Sequence, residues 1–202
     1  VERFLDHSCE EEAEGLCRAR TAASHLSAMV DDMLLLARLE HDPMSVRPKD
    51  RVSLQFLIAG ADLAFRDRAL EKGLRFLTLS PEQDISFMGD ERRLTQVLGN
   101  LVDNAIKFTP RGGEVVVRGD GDSERVWVCV TDTGPGIPES ERERVLGKFY
   151  QVRKDEGRPS GLGLGLAICR HVAFAHGGEV EVGDGKVNGT SVLLRLPMRI
   201  AD

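Results

Sequence analysis

Asn100 and Asn104 stand four residues apart in the run DERRLTQVLGNLVDNAIKFT, residues 90–109, with Lys107 and Phe108 close behind them. On a helix these side chains share one side, so an amide pair, an ammonium and an aromatic ring line up along it. The run GLGLGLAI at 161–168 supplies a second kind of chemistry. Gly161, Gly163 and Gly165 open a predicted helix there, so backbone N–H groups and the positive end of the helix dipole can face phosphate oxygens. A Walker A loop would carry GK[ST] after its glycines, whereas Leu166 and Ala167 follow here. A dinucleotide fold would have a βαβ unit behind such a turn, and this one falls near the end of the chain without it. In the third run, DTGPGIP at 132–138, Asp132 closes a predicted strand, and Gly134 and Gly136 leave the backbone open to close approach.

These groups need a scaffold, and the apolar periodicity predicts one. Leu94, Val97, Leu98, Leu101, Val102, Ala105 and Ile106 recur at three- and four-residue spacing and form a stripe that should pack on a sheet, with Asp90 as N-cap. By itself this run also reads as an ordinary amphipathic core helix with a polar outer face. An earlier helix is predicted over 53–72, capped by Ser53 and closed by Gly73. Residues 74–79 and 85–88 alternate like two strands separated by a turn at Ser80-Pro81. Strands follow at 114–118 and 125–130, joined at Asp120-Gly121-Asp122, with Val115, Val117, Val126, Val128 and Val130 facing inward. A helix over 162–176 and strands at 179–182 and 191–196 complete an α/β two-layer sandwich with helices on one face of a mixed sheet. Residues 139–160 are charged, lack apolar periodicity in their second half, and form a candidate lid. Ahead of all this, residues 10–41 read as one long helix with Leu16, Ala19, Ala23, Leu26, Val30, Met33 and Ala37 in a heptad seam, a stripe expected to be buried in a helical bundle. His41-Asp42-Pro43 ends that helix, and residues 42–49 read as a linker.

In order and spacing the three runs, with Lys148–Gln151 between the two glycine runs, resemble boxes of the ATP-binding catalytic domain of two-component sensor histidine kinases, in the superfamily that also holds gyrase and MutL. The N box matches 100–109, the G1 box 132–138, the F box 148–151 and the G2 box 161–168. The resemblance implies a Bergerat-type ATP-binding fold at residues 46–202, preceded at 1–45 by part of a dimerisation helix. It implies ATP and Mg2+, with Asn104 as metal ligand, Asn100 as its helper and Lys107 near the phosphates. Nucleotide contacts are implied for Phe108, Asp132, Gly134, Gly136, Ile137, Tyr150, Gln151, Arg158, Gly161, Leu162, Gly163, Leu164 and Gly165. A side-chain carbonyl suits a hard cation that keeps several waters. The Asp132 carboxylate can accept a hydrogen bond from the exocyclic amine of adenine, where guanine offers a carbonyl. ATP-hydrolysing members of the superfamily carry a glutamate at the position of Asn100, and an amide has no basic site of useful pKa. That favours handing the γ-phosphoryl to another nucleophile, which needs mostly positioning and charge neutralisation.

The resemblance further implies a response regulator receiver domain as partner, a phosphoacceptor helix on this or another kinase chain, and a homodimer through the N-terminal helix. Two features depart from the pattern. Gly147 replaces a common glutamate before the F-box aromatics, and Gln151 stands where an arginine is common, with Arg153, Lys154 and Arg158 as substitutes. A motif like HELRTP around a phosphoacceptor histidine is absent from the sequence, and neither His7 nor His25 fits the role. An ATP-binding regulatory module without autokinase activity is therefore the alternative reading, and an anti-sigma serine kinase is a third, opposed by the heptad seam.

The composition suits one medium domain with a short appendage: 202 residues, 41% apolar and 30% charged. A net charge of −6 argues against a nucleic-acid partner. No apolar run reaches bilayer-spanning length, which suggests a cytoplasmic chain or the cytoplasmic part of a membrane-bound sensor. Cys9, Cys17, Cys129 and Cys169 form no CxxC pair and read as reduced thiols.

Overall fold

The computed structural model describes residues 29–39, 50–152 and 162–199, with a few single positions between 15 and 41. Helix α1 occupies residues 29–39. The strands are β1 (Asp50–Ser53), β2 (Arg75–Leu79), β3 (Ser86–Gly89), β4 (Glu114–Gly121), β5 (Arg125–Asp132), β6 (Glu179–Asp184) and β7 (Thr190–Pro197). The remaining helices are α2 (Leu54–Glu71), α3 (Glu91–Phe108), α4 (Glu139–Arg142) and α5 (Gly165–Ala175).

The main sheet runs β2-β4-β5-β7-β6, parallel only between β2 and β4. Its inward face is made by period-two alternation: Val115, Val117, Val126, Val128 and Val130 are all buried, as are Leu194 and Leu196 across from them. Helices α2, α3 and α5 cover that face, so the predicted two-layer sandwich is the observed one. The seven-residue stripe of α3 is fully buried as expected. Continuing the alternation of β5 past Val130 puts Asp132 on the same inward face, where the core ends.

Both predicted caps form. Ser53 accepts from Phe56 N–H at 3.0 Å, and Asp90 accepts from Arg93 N–H at 3.1 Å. Helix α2 ends in a Schellman motif, in which Gly73 N–H donates to Leu70 O and Leu74 N–H to Ala69 O, with Gly73 at φ +75°.

The structure corrects one expectation, the adjacency of two strands, and adds detail to two others. The segments near 74–79 and 85–88 are not neighbours. β2 joins β4, while β3 pairs antiparallel with β1, a strand not expected between the linker at 42–49 and the helix at 53–72. The intervening loop is tied to the start of α2 instead of closing a hairpin: Asp84 accepts from Ser53 Oγ at 2.8 Å, and Pro81 O from Gln55 Nε2 at 2.9 Å. The first part of the expected lid is folded, with α4 followed by a 3-10 turn, Arg144–Leu146, whose Val145 and Leu146 are buried. Residues 153–160 lie outside the described residues. Third, the end of α1 packs on this same domain through Leu35, Leu36 and Leu39, and Asp32 accepts from Gln96 Nε2 at 3.4 Å. The heptad face of α1 stays open, with Val30 54% and Met33 42% exposed. Two faces of one helix are thus used differently.

Candidate functional site

The site lies at the end of the sheet where β5 stops, between α3 and α5. Asp132 is 7% exposed, and its Oδ1 accepts from Gly134 N–H at 2.7 Å and from Thr190 N–H at 3.2 Å. Burial raises its pKa, and the two backbone donors oppose the rise. The carboxylate is therefore fixed in orientation through one oxygen. Thr190 was not anticipated. It starts β7, fifty-eight residues away, so no local spacing points to it. Gly136, at φ +71°, carries the chain under the loop between β6 and β7, where a side chain would meet Asn188 O at 2.4 Å.

The other boxes meet around this point. Asn100 Nδ2 donates to Gly165 O at 3.4 Å, joining the N box to the first turn of α5. A Cβ placed on Gly134 would lie 3.2 Å from Phe108 O, so the end of α3 abuts the G1 turn. Phe149 N–H donates to Gly163 O at 3.0 Å, and a Cβ placed on Gly163, at φ +69°, would meet Tyr150 O at 2.6 Å, so the F and G2 boxes lie against each other. Arg158 and Gly161 lie outside the described residues.

Lys107 Nζ sits 5.1 Å from the Phe108 ring centroid, and that ring is more than half exposed. Burial lowers the pKa of Lys107, Asp103 raises it and Arg68 lowers it. Asn104 is half-buried one turn before Phe108. Leu162 is partly buried against the core and Leu164 is buried, so at Leu164 only the backbone can reach a ligand. Ile137 is half-buried, and its carbonyl accepts from Arg142 Nε at 3.2 Å. Tyr150 donates its hydroxyl to Glu141, its ring lies 4.5 Å under the Arg144 guanidinium, and Gln151 next to it is half-buried.

A second unanticipated residue joins the two helices at their far ends. His176 is 1% exposed, and its Nε2 accepts from Asp90 N–H at 2.9 Å. Its Nδ1–H donates to Val172 O at 2.8 Å, so the ring is neutral, and burial holds its pKa low. Cys169 is no nucleophile: burial pushes its thiol up to about 12. A small cavity lined by Leu57, Leu94, Trp127 and Leu196 lies in the core, away from these residues.

The arrangement can hold a planar ring bearing an amine at Asp132 and present backbone N–H groups, amides and one ammonium to an anion. Among the described residues no three His, Cys, Asp or Glu side chains can hold a metal ion together.

A family profile described as histidine kinase-, DNA gyrase B-, and HSP90-like ATPase matches residues 89–200. The adaptive-response sensory kinase SasA of a Nostoc species is 34% identical over 185 residues, covering 91% of this chain and 45% of that protein. Among solved structures, full-length ShkA in complex with AMPPNP superposes with a TM-score of 0.78 at 32% identity, covering 95% of this chain and 40% of ShkA. Histidine kinase ThkA in complex with the response regulator protein TrrA gives a TM-score of 0.68 at 25% identity, covering 89% of this chain and 49% of that one. The chain thus spans under half the length of these relatives. None of the described helices is long and apolar enough to cross a membrane. With the profile over more than half of the chain and all four boxes gathered at one end of the sheet, the chain belongs to the family of histidine kinase-, DNA gyrase B- and HSP90-like ATPases, and its catalytic domain is of the histidine kinase kind.

Proposed function

We propose that this chain is the ATP-binding catalytic portion of a sensor histidine kinase, transferring the γ-phosphoryl group of Mg-ATP to a histidine and, through it, to an aspartate of a response regulator. The observation that carries the reading is Asp132, buried at the end of β5 and fixed by two backbone N–H groups beside the turn of Gly134 and Gly136. Adenine donates its exocyclic amine to the carboxylate. Thr190 keeps the carboxylate from turning, and Phe108 offers an apolar face to the nucleotide. Lys107 lies toward the phosphates, and the N–H groups at Gly163 and Gly165 meet phosphate oxygens at the start of α5.

Mg2+ fits Asn104, whose amide oxygen is a hard neutral ligand, and when bound it neutralises charge on the phosphates. With an amide at Asn100, tied to Gly165 O, no residue there activates water, so the site favours transfer over hydrolysis. Residues 46–202 act as the catalytic unit and the helix before them as a dimerisation element, for which the exposed Leu26 and Val30 on the heptad face provide the apolar surface. The TrrA complex of ThkA supports a response regulator as partner.

The alternative reading is a nucleotide-binding module with no autokinase activity of its own. The two separate on incubation with γ-labelled ATP and Mg2+. The chain alone should accumulate no phosphohistidine, and base-stable, acid-labile label should appear on a separate polypeptide carrying such a helix. No transfer to any supplied acceptor helix, with ATP binding intact, would favour the regulatory module. Label on the chain itself that disappears in His7→Ala would show that the acceptor is His7.

A further inference from the structure

Four backbone carbonyls at the end of any helix lack partners within it, and the end of α3 is the end that carries Lys107 and Phe108. Ala105 O takes Thr109 N–H at 3.0 Å and Thr109 Oγ1 at 2.6 Å. The next two, Ile106 O and Lys107 O, are taken by one group from another helix: Lys72 Nζ, at 2.6 and 2.8 Å. An ammonium has three donors and also complements the negative end of the helix dipole, so it suits two adjacent carbonyls there.

Lys72 is the C-cap residue of α2, and the Schellman turn at Gly73 fixes where its side chain starts. Gly73 O in turn accepts from Gly112 N–H at 2.9 Å, just beyond α3. One helical turn earlier Arg68 pairs with Asp103, on α3 one turn before Lys107. The end of α2 thus grips the last turn of α3 by side chain and backbone at once.

We propose that Lys72 is a positioning residue for phosphate binding: by holding the Ile106 and Lys107 carbonyls it sets the backbone from which the Lys107 ammonium reaches the nucleotide phosphates. The proposal rests on the nucleotide reading above. Lys72 itself donates to the two carbonyls and acts on the phosphates through Lys107. Without it the last turn of α3 loses partners for two carbonyls and can fray, and Lys107 then meets the phosphates from a distribution of positions.

The test is a double-mutant cycle on the full chain, with ATP and adenosine affinities measured by competition against a fluorescent nucleotide in the presence of Mg2+. Lys72→Met keeps the length and removes the donors. It should lower the ratio of ATP to adenosine affinity by about tenfold, the scale of one charge-assisted hydrogen bond, with adenosine affinity unchanged. Lys72→Arg, which can still donate to both carbonyls, should restore most of the ratio. In a Lys107→Met background, Lys72→Met should have little further effect on the ratio. A purely structural role would lower the affinities for ATP and adenosine together, and that result overturns the proposal, as does full additivity with Lys107→Met. Should Lys72→Met fail to fold, judged by circular dichroism, the ratio in Lys72→Arg decides: a value near that of Lys107→Met overturns it. Unchanged ATP affinity in Lys107→Met would instead remove the reading on which the proposal stands.

Discussion

Asp132→Asn exchanges one oxygen for an amide nitrogen at a position where both oxygens have a task. If the remaining oxygen keeps the N–H groups of Gly134 and Thr190, which lie at 2.7 and 3.2 Å, the new NH2 group faces the amine of adenine. If the amide turns over, the NH2 group faces those two backbone donors instead. Either way a buried donor meets a donor, and a charge-assisted hydrogen bond becomes neutral. Losing such a bond costs about 1.5–3 kcal/mol and an unsatisfied buried donor about 1–3 kcal/mol. Taking about 3 kcal/mol for the pair, ATP affinity should fall roughly 100-fold. GTP should gain, because its ring carbonyl can accept from the new NH2 group. Folding should not suffer, since burial already disfavours the carboxylate charge and the amide carries none. Isothermal titration with ATP and GTP, beside a thermal melt, measures all three. A variant that keeps the ATP preference of the parent chain, or a parent chain that binds the two nucleotides equally, would refute the role given to Asp132.

Asn104→Ala should weaken ATP binding in the presence of Mg2+ by about tenfold and leave metal-free binding nearly unchanged, since it removes one neutral ligand among several oxygens; equal loss with and without the metal in titration calorimetry would argue for a merely structural amide. His176 predicts a pH dependence of stability. Its ordinary pKa is 6.5 and burial lowers it in the folded chain, so below 6.5 the unfolded state takes up a proton first. Stability should be full above that pH and fall as the pH drops below it, by at most about 1.4 kcal/mol per pH unit from this group. Urea midpoints from pH 7.5 to 5 should show the fall, and His176→Gln, whose amide oxygen can still accept from Asp90 N–H, should flatten it; an unchanged slope would assign the fall to other groups.

Local sequence determined the parts whose physics is local. The stripe of α3, the caps Ser53 and Asp90, the stop at Gly73 and the valine alternation of β4 and β5 all need only neighbours within a few residues, and each was read correctly. The order of the glycine runs was also legible, because close backbone approach excludes side chains wherever the chain later goes. Pairing was not. β1 is four residues long with Val52 as its one buried side chain, too short to show a period, and its partner β3 lies more than thirty residues on. The segment after Gly136 looked mobile by composition, but two residues, Val145 and Leu146, suffice to seat its first part. Thr190, His176 and Lys72 share one reason for having escaped notice. Each is an unremarkable residue in its own segment and acquires a task only because folding brings a polar group from 34 to 86 residues away into reach: Asp132 is fixed by the first, α3 is anchored at its start by the second, and its last carbonyls are taken by the third. Which chemical groups were available was written in the sequence; which of them would be held still was decided by the tertiary packing of α2, α3 and α5 on the sheet.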